Sequence, residues 1–202
     1  MDTDSTNSSA KFSRDKALSL EKSRREKDSI DAFKKIETKM SPKILAEQNI
    51  KRAINEFTEG REKNNQAKID NALNLLREAV RLDSASENGW LSLGNIYYNQ
   101  SKTNPDKAET REEDKNISKS IESFTSCLTV NPKNFECRYG LAAALIDSGK
   151  CGSAVEQLLI CKDMKPNLKK IYLSLGQAYD CMASGNMKTA DEYRNEAATK
   201  TE

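Results

Sequence analysis

Histidine is absent from the 202-residue chain, and that omission removes imidazole general-base catalysis, Ser-His-Asp and Cys-His nucleophile sites and His-ligated zinc. Aromatic residues make up only 6% of the chain, and no apolar run approaches the roughly 20 residues that a membrane-spanning helix needs. There is no P-loop, no Gly-rich dinucleotide turn and no paired carboxylate arrangement. The expectation is a chain with no catalytic residue, cofactor, metal or small-molecule substrate, hence not an enzyme. A 36% hydrophobic and 32% charged composition with a mean hydropathy of -0.80 describes a polar chain with a thin core.

Five cysteines are present, an odd number with no C-x-x-C pair and no secretory signal ahead of them, which points to a reducing compartment. Cys127 and Cys161 read as core residues, whereas Cys151 and Cys181 are candidates for exposure with nothing nearby to activate a thiolate. The first residues lack the basic and apolar stretches of a leader, and two acids argue against a mitochondrial presequence, so the cytoplasm, with the nucleus as alternative, is expected. Net charge is +2, yet residues 11 to 43 carry eleven Lys and Arg against six Asp and Glu. The basic excess is confined to one end.

A period of 34 runs through the C-terminal half. Pro132 and Pro166, Cys127 and Cys161, Phe124 and Leu158, Ser120 and Ala154, Leu141 and Leu175, and Ala142 and Gly176 all lie 34 residues apart. Further back, Ala72, Leu76, Ala79 and Gly94 lie 48 residues before their counterparts, one period plus a 14-residue insertion between Tyr97 and Ser120. Trp90, Leu93, Gly94 and Tyr97 recur as Tyr172, Leu175, Gly176 and Tyr179, a spacing that sets a stripe on one helix face. Small residues mark close approach, and prolines after the second helices end them. Gly149 and Gly185 suit left-handed positions at the close of first helices.

The W-x-x-L-G-x-x-Y run at 90–97 and the A-x-x-x-F-x-x-A pattern ending in Pro resemble the tetratricopeptide repeat (TPR) over roughly residues 42 to 199. The resemblance implies an all-α TPR-type helical-hairpin solenoid, a right-handed superhelix, with an extra N-terminal helix. Residues 1–13 read as a disordered tail and 14–41 as a basic amphipathic helix carrying Ile30, Phe33, Ile36 and Met40. The array divides into a degenerate repeat at 42–85, a repeat at 86–133 with an insertion at 101–117, a repeat at 134–167, and a final repeat and cap at 168–199. Helices are predicted near 42–59, 67–82, 86–100, a long one ending near 130, 134–148, 151–164, 168–184 and 187–199. Ser41-Pro42 reads as a helix start.

Counting Trp90 as the fourth position of its helix, the positions that the resemblance turns toward a ligand groove are Asn88, Leu91, Ser92, Asn95, Tyr98 and Asn99, then Glu136, Tyr139, Gly140, Ala143, Ile146 and Asp147, then Lys170, Leu173, Ser174, Gln177, Asp180 and Cys181. Side-chain amides can pair both groups of an extended peptide backbone. The candidate partner-binding residues are Asn88, Leu91, Asn95, Tyr98, Asn99, Tyr139, Ala143, Lys170, Leu173 and Gln177, against the competing reading of a solvated or packing face. The carboxylate clamp that some TPR proteins use on the Hsp70 and Hsp90 C-terminal tails is matched by Asn95 and Lys170 alone. Leu91, Gly140 and Ser174 replace its other three residues, so such a tail is not the expected partner. The expected function is a protein-binding scaffold, adaptor or assembly factor that takes an extended peptide or helix, with no membrane partner. The runner-up is an RNA- or ribosome-associated factor using Lys22, Arg24, Arg25 and Lys27, although interleaved acids make a salt-bridged solvated helix the simpler reading. The insertion at 101–117, mixed in charge, is a second candidate binding edge.

Overall fold

The computed structural model describes residues 16, 18–29, 41–102, 111–182 and 187–200, and every element among them is helical. Compact packing divides the chain into two units, Met1–Leu45 and Ala46–Glu202. In the first, residues 18–29 form helix α1, exposed along its whole length and carrying one i,i+4 pair, Arg25 to Glu21 at 2.6 Å. The expected tail at 1–13 and the apolar positions Ile30, Phe33, Ile36 and Met40 lie outside the described residues.

The remaining helices are α2 (Pro42–Glu62), α3 (Gln66–Leu82), α4 (Glu87–Lys102), α5 (Arg111–Val130), α6 (Phe135–Asp147), α7 (Cys151–Met164), α8 (Lys169–Cys181) and α9 (Met187–Ala197). They pair as the hairpins α2–α3, α4–α5, α6–α7 and α8–α9. The starts are chemically set: Pro42 opens α2, where its missing N–H costs nothing. The side chains of Asn65 and Asn134 cap α3 and α6 by accepting from Lys68 N at 3.3 Å and Cys137 N at 3.0 Å. Gly149 closes the α6 turn at φ 73°, the left-handed region where a Cβ is disfavoured. Gly185 and residues 103–110 of the 101–117 insertion lie outside the described residues, while Ser101 and Lys102 end α4 and residues 111–117 belong to α5.

Packing follows the repeat. Phe124 of α5 is fully buried, and its ring fills the gap between two glycines on neighbouring first helices. A Cβ on Gly94 of α4 or on Gly140 of α6 would come within 2.7 or 2.6 Å of that ring. Gly140 is therefore a packing position, which corrects its reading as part of a groove lining. Ser120, also buried, donates to the Gly94 carbonyl at 3.0 Å and seals the same approach. At the C-terminal hairpin, a Cβ on Gly176 would meet Arg194 Cγ at 3.1 Å and the Ala190 carbonyl at 3.3 Å, so α9 lies close on α8. One core runs from Ile117 through Leu158 to Ala197. Another gathers Ala46, Ile50, Ala53, Leu76 and Tyr97, and Trp90 packs against both.

The sulfurs depart from the sequence expectation. Cys127 pairs with Cys137 and Cys151 with Cys181, leaving Cys161 as the free thiol. Cys127 and Cys161 are buried as expected, but so is Cys151, and only Cys181 is exposed. Spacing along the chain did not reveal the pairs because helix packing, not sequence distance, brings the members together.

Candidate partner-binding site

Positions read from the Trp90 count correspond to real helix positions. With Trp90, Arg138 and Tyr172 as fourth residues, the first residues are Glu87, Phe135 and Lys169, which are the starts of α4, α6 and α8. Each first helix also contacts the next first helix, α4 with α6 and α6 with α8. The face built from them is therefore continuous through three repeats.

Three unlike side chains make one recurring hydrogen bond. Trp90 Nε1 donates to the Ser84 carbonyl at 2.9 Å, Arg138 Nη2 to the Pro132 carbonyl at 2.6 Å, and the Tyr172 hydroxyl to the Pro166 carbonyl at 2.5 Å. In each case the acceptor lies six residues upstream, in the turn that delivers the chain from the preceding hairpin. An indole, a guanidinium and a phenol thus occupy equivalent surroundings, which is the signature of one structural unit repeated.

Neither a protein-family model nor a curated protein sequence matches the chain. Solved structures do. A point mutant of MamA superposes with a TM-score of 0.56 at 17% identity, covering 80% of this chain and 78% of that one. MamA AMB-1 gives 0.54 at 19%, covering 71% and 69%. MamA MSR-1 gives 0.52 at 20%, covering 64% of this chain and 65% of that one, so the present chain spans just under two thirds of its length. YrrB, described as a TPR protein with an unusual peptide-binding site, aligns at a TM-score of 0.35, too loosely to bear on the argument. At these identities the likeness is one of fold. The chain has a TPR-type fold.

Along the first-helix face of this TPR array, Asn88, Asn95, Leu173 and Gln177 are exposed, and Leu91, Tyr98, Asn99, Tyr139, Ala143 and Lys170 are half-buried. Several polar groups are already engaged. Asn99 donates to the Asn95 carbonyl at 2.8 Å, and the Tyr139 and Ser174 hydroxyls are 2.9 Å apart, joining α6 to α8. Burial holds the Tyr98 phenol well above its usual range, and a hydrogen bond to Asp147 adds to the shift. Asp147 also takes an ion pair from Lys102 at 2.6 Å, and that ammonium lies 5.3 Å from the Tyr98 ring centroid. Tyr98, Lys102 and Asp147 thus clamp α4 to α6 at one end of the face.

The other charges on the face are compensated too. Asp180 pairs with Arg194 of α9. Glu136 faces Lys165 at 3.7 Å and Lys170 at 3.9 Å, while the Lys170 ammonium sits 4.4 Å from the Tyr139 ring centroid. Among the described residues the side-chain amides of Asn88, Asn95 and Gln177 have no hydrogen-bond partner, so their donors and acceptors are open to a ligand. Leu91, Ala143 and Leu173 supply apolar contact beside them.

Sequence reasoning missed the clamp on Tyr98. Asp147 was in the predicted lining but not among the candidates, and Lys102 was assigned to the insertion. The available signal was an opposite-charge pair at the C-terminal ends of two first helices. Lys22, Arg24, Arg25 and Lys27 are exposed on α1, in the other unit. No cluster of three metal-ligating side chains occurs among the described residues, and no helix there is long and apolar enough to cross a membrane.

Proposed function

We propose that the chain is a non-catalytic protein-interaction scaffold, an adaptor or assembly factor, whose α4, α6 and α8 face takes an extended peptide or a helix from a partner protein. The observation that supports it is the row of unengaged amides at Asn88, Asn95 and Gln177 on a face whose charged groups are paired with one another. Extended backbone needs donors and acceptors at intervals and little net charge, and amides provide both. Leu91, Tyr98, Asn99, Tyr139, Ala143, Lys170 and Leu173 complete the proposed contact set, the aromatic rings giving area rather than polar bonds. Tails of the Hsp70 and Hsp90 type do not suit this face, because Leu91, Gly140 and Ser174 stand where cationic and amide groups would be needed, and Gly140 is occupied by Phe124. The compartment we propose is the cytoplasm.

The test is affinity capture with the wild type and an Asn95→Ala, Tyr139→Ala, Gln177→Ala triple variant of matched helicity. A partner held by the first and lost by the second supports the face. An unchanged set of partners sinks it and moves attention to the 101–117 edge. An RNA-associated role using α1 predicts instead an affinity that falls steeply with salt and disappears when residues 11 to 40 are removed.

A further inference from the structure

The two disulfides sit at matching joints but at different depths. Cys127–Cys137 ties the last turn of α5 to the first turn of α6, with Cα atoms 6.2 Å apart. Cys151–Cys181 ties the first turn of α7 to the last turn of α8 at 5.9 Å. Both bonds join the second helix of one hairpin to the first helix of the next, where the step between repeats is set. Cys127 and Cys137 are both 0% exposed, whereas Cys151 is 4% exposed and Cys181 lies open at the surface. Cys181 is also the thirteenth residue of α8, one helical turn beyond Gln177 on the partner face. A thiolate must reach a disulfide sulfur to open it, and only Cys181 is within reach of solvent.

We propose that Cys151–Cys181 is a thiol–disulfide switch on the C-terminal hairpin, opened and closed by low-molecular-weight thiols such as glutathione, while Cys127–Cys137, buried at both ends, is shielded from them and opens more slowly. In opening, the small thiolate attacks Cys181 Sγ. A bond forms between the two sulfurs, and Cys151 leaves as a thiolate that takes up a proton. A second small thiol then attacks the small-molecule sulfur of the mixed disulfide, releasing Cys181, which is protonated in turn. The two small thiols supply both electrons and both protons and depart as their own disulfide. Closure is the reverse, with that disulfide as oxidant. Cys161 stays out of the exchange, being fully buried with a thiol pushed up to about 11, chiefly by that burial. Ile171 stands where a pairing partner for it would fall, one period after Cys137. In a cytoplasmic setting, disulfides that form are characteristically transient and redox-sensing, which suits a bond reachable from one side.

The bond matters where the α8 core ends. Ile171, Tyr172, Leu175 and Ala178 hold the body of the helix, but Asp180, Cys181 and Met182 lie toward solvent. Helix α9 depends on the same region, with Tyr193 stacked on Tyr179 at 5.4 Å and Arg194 paired with Asp180. Opening the bond frees the last turn of α8, loosens the seat of α9, and alters the Gln177 end of the face. This last consequence, regulation of binding, rests on the function proposed above.

The full-length chain is incubated in glutathione buffers of increasing reducing strength, acid-quenched, and alkylated with N-ethylmaleimide in denaturant. The intact mass then counts one label when both bonds are closed, three when one pair has opened and five when both have. The proposal predicts a three-label species carrying its labels on Cys151, Cys161 and Cys181, forming about tenfold or more faster than the five-label species. Amide hydrogen exchange quickens in α8 and α9 of that species and stays unchanged in α6. A Cys181→Ser variant, altered at an exposed position, reproduces the exchange pattern without added thiol. Simultaneous opening of both pairs, prior opening of Cys127–Cys137, or exchange in α8 and α9 that ignores the state of the bond overturns the switch. Partner affinity is read separately: loss in the triple variant but not on opening refutes the regulation alone. Loss in neither refutes the binding face and leaves the labelling result to decide the switch.

Discussion

Phe124 and the two glycines that receive it offer the sharpest quantitative check on the packing. Truncating this fully buried ring in Phe124→Ala removes its contacts with α4 and α6 and is expected to cost about 3–5 kcal/mol. A domain of ordinary stability holds only about 5–15 kcal/mol in total. With a urea slope of about 2 kcal/mol per molar, the midpoint should fall by about 1.5–2.5 M. Gly94→Ala separates close packing from general weakness. In the wild type its Cβ meets the Phe124 ring at 2.7 Å, and overpacking of that kind costs about 1–3 kcal/mol. In the Phe124→Ala background the clash is gone, and the better helix propensity of alanine should stabilise by about 0.5–1 kcal/mol. The sign of one substitution therefore inverts with the presence of one ring, a coupling of about 1.5–4 kcal/mol in a double-mutant cycle. Urea titrations of the four proteins, followed by helical circular dichroism and Trp90 fluorescence, give the cycle directly. If Gly94→Ala has the same sign and size in both backgrounds, the ring is not lodged against Gly94 and the account of the α4–α6 joint is wrong.

Two further substitutions probe the turns. Glu87 accepts hydrogen bonds from Asn134 at 2.9 Å and Asn131 at 2.8 Å, and these hold its carboxyl below the usual 4.5. A carboxyl depressed in the folded state stabilises above its unfolded value, and that stabilisation disappears as pH falls through the folded value. Urea stability measured across the acid range should therefore drop less steeply below about pH 4.5 in Glu87→Gln than in the wild type. Equal acid slopes in the two proteins would contradict the assignment. Tyr172→Phe keeps the ring packing and loses only the bond to the Pro166 carbonyl, so thermal or urea unfolding should show a loss of about 1 kcal/mol. No loss would mean that the recurring turn bond does not form in solution.

The helical pattern was legible in the chain because packing demands residue size at fixed steps. Gly94, Ala142 and Gly176 had to be small, Phe124 and Leu158 had to be large, and both requirements appear as a period. The starts expected near 86, 134 and 168 each fall one residue before the observed ones at Glu87, Phe135 and Lys169. Arg138 shows where pattern stops short: it has no chemical likeness to Trp90 or Tyr172, yet it makes the same bond, because the turn asks only for a long side chain with a donor. Gly140 was misread for a related reason, since a face position and a packing position are indistinguishable until the ring that fills it is seen. The disulfides and the Tyr98, Lys102 and Asp147 clamp depend on which helix ends meet, and that is a property of the stacked array rather than of any one helix.

Whether the partner lies on the α4, α6 and α8 face is read by a photo-reactive phenylalanine analogue placed singly at three positions. Asn95 and Gln177 lie on that face, and Ile160, 42% exposed, lies on second helix α7. The partner lost from the triple variant is expected to cross-link from 95 and 177 and not from 160. Cross-linking from 160, with none from the other two, would contradict that placement.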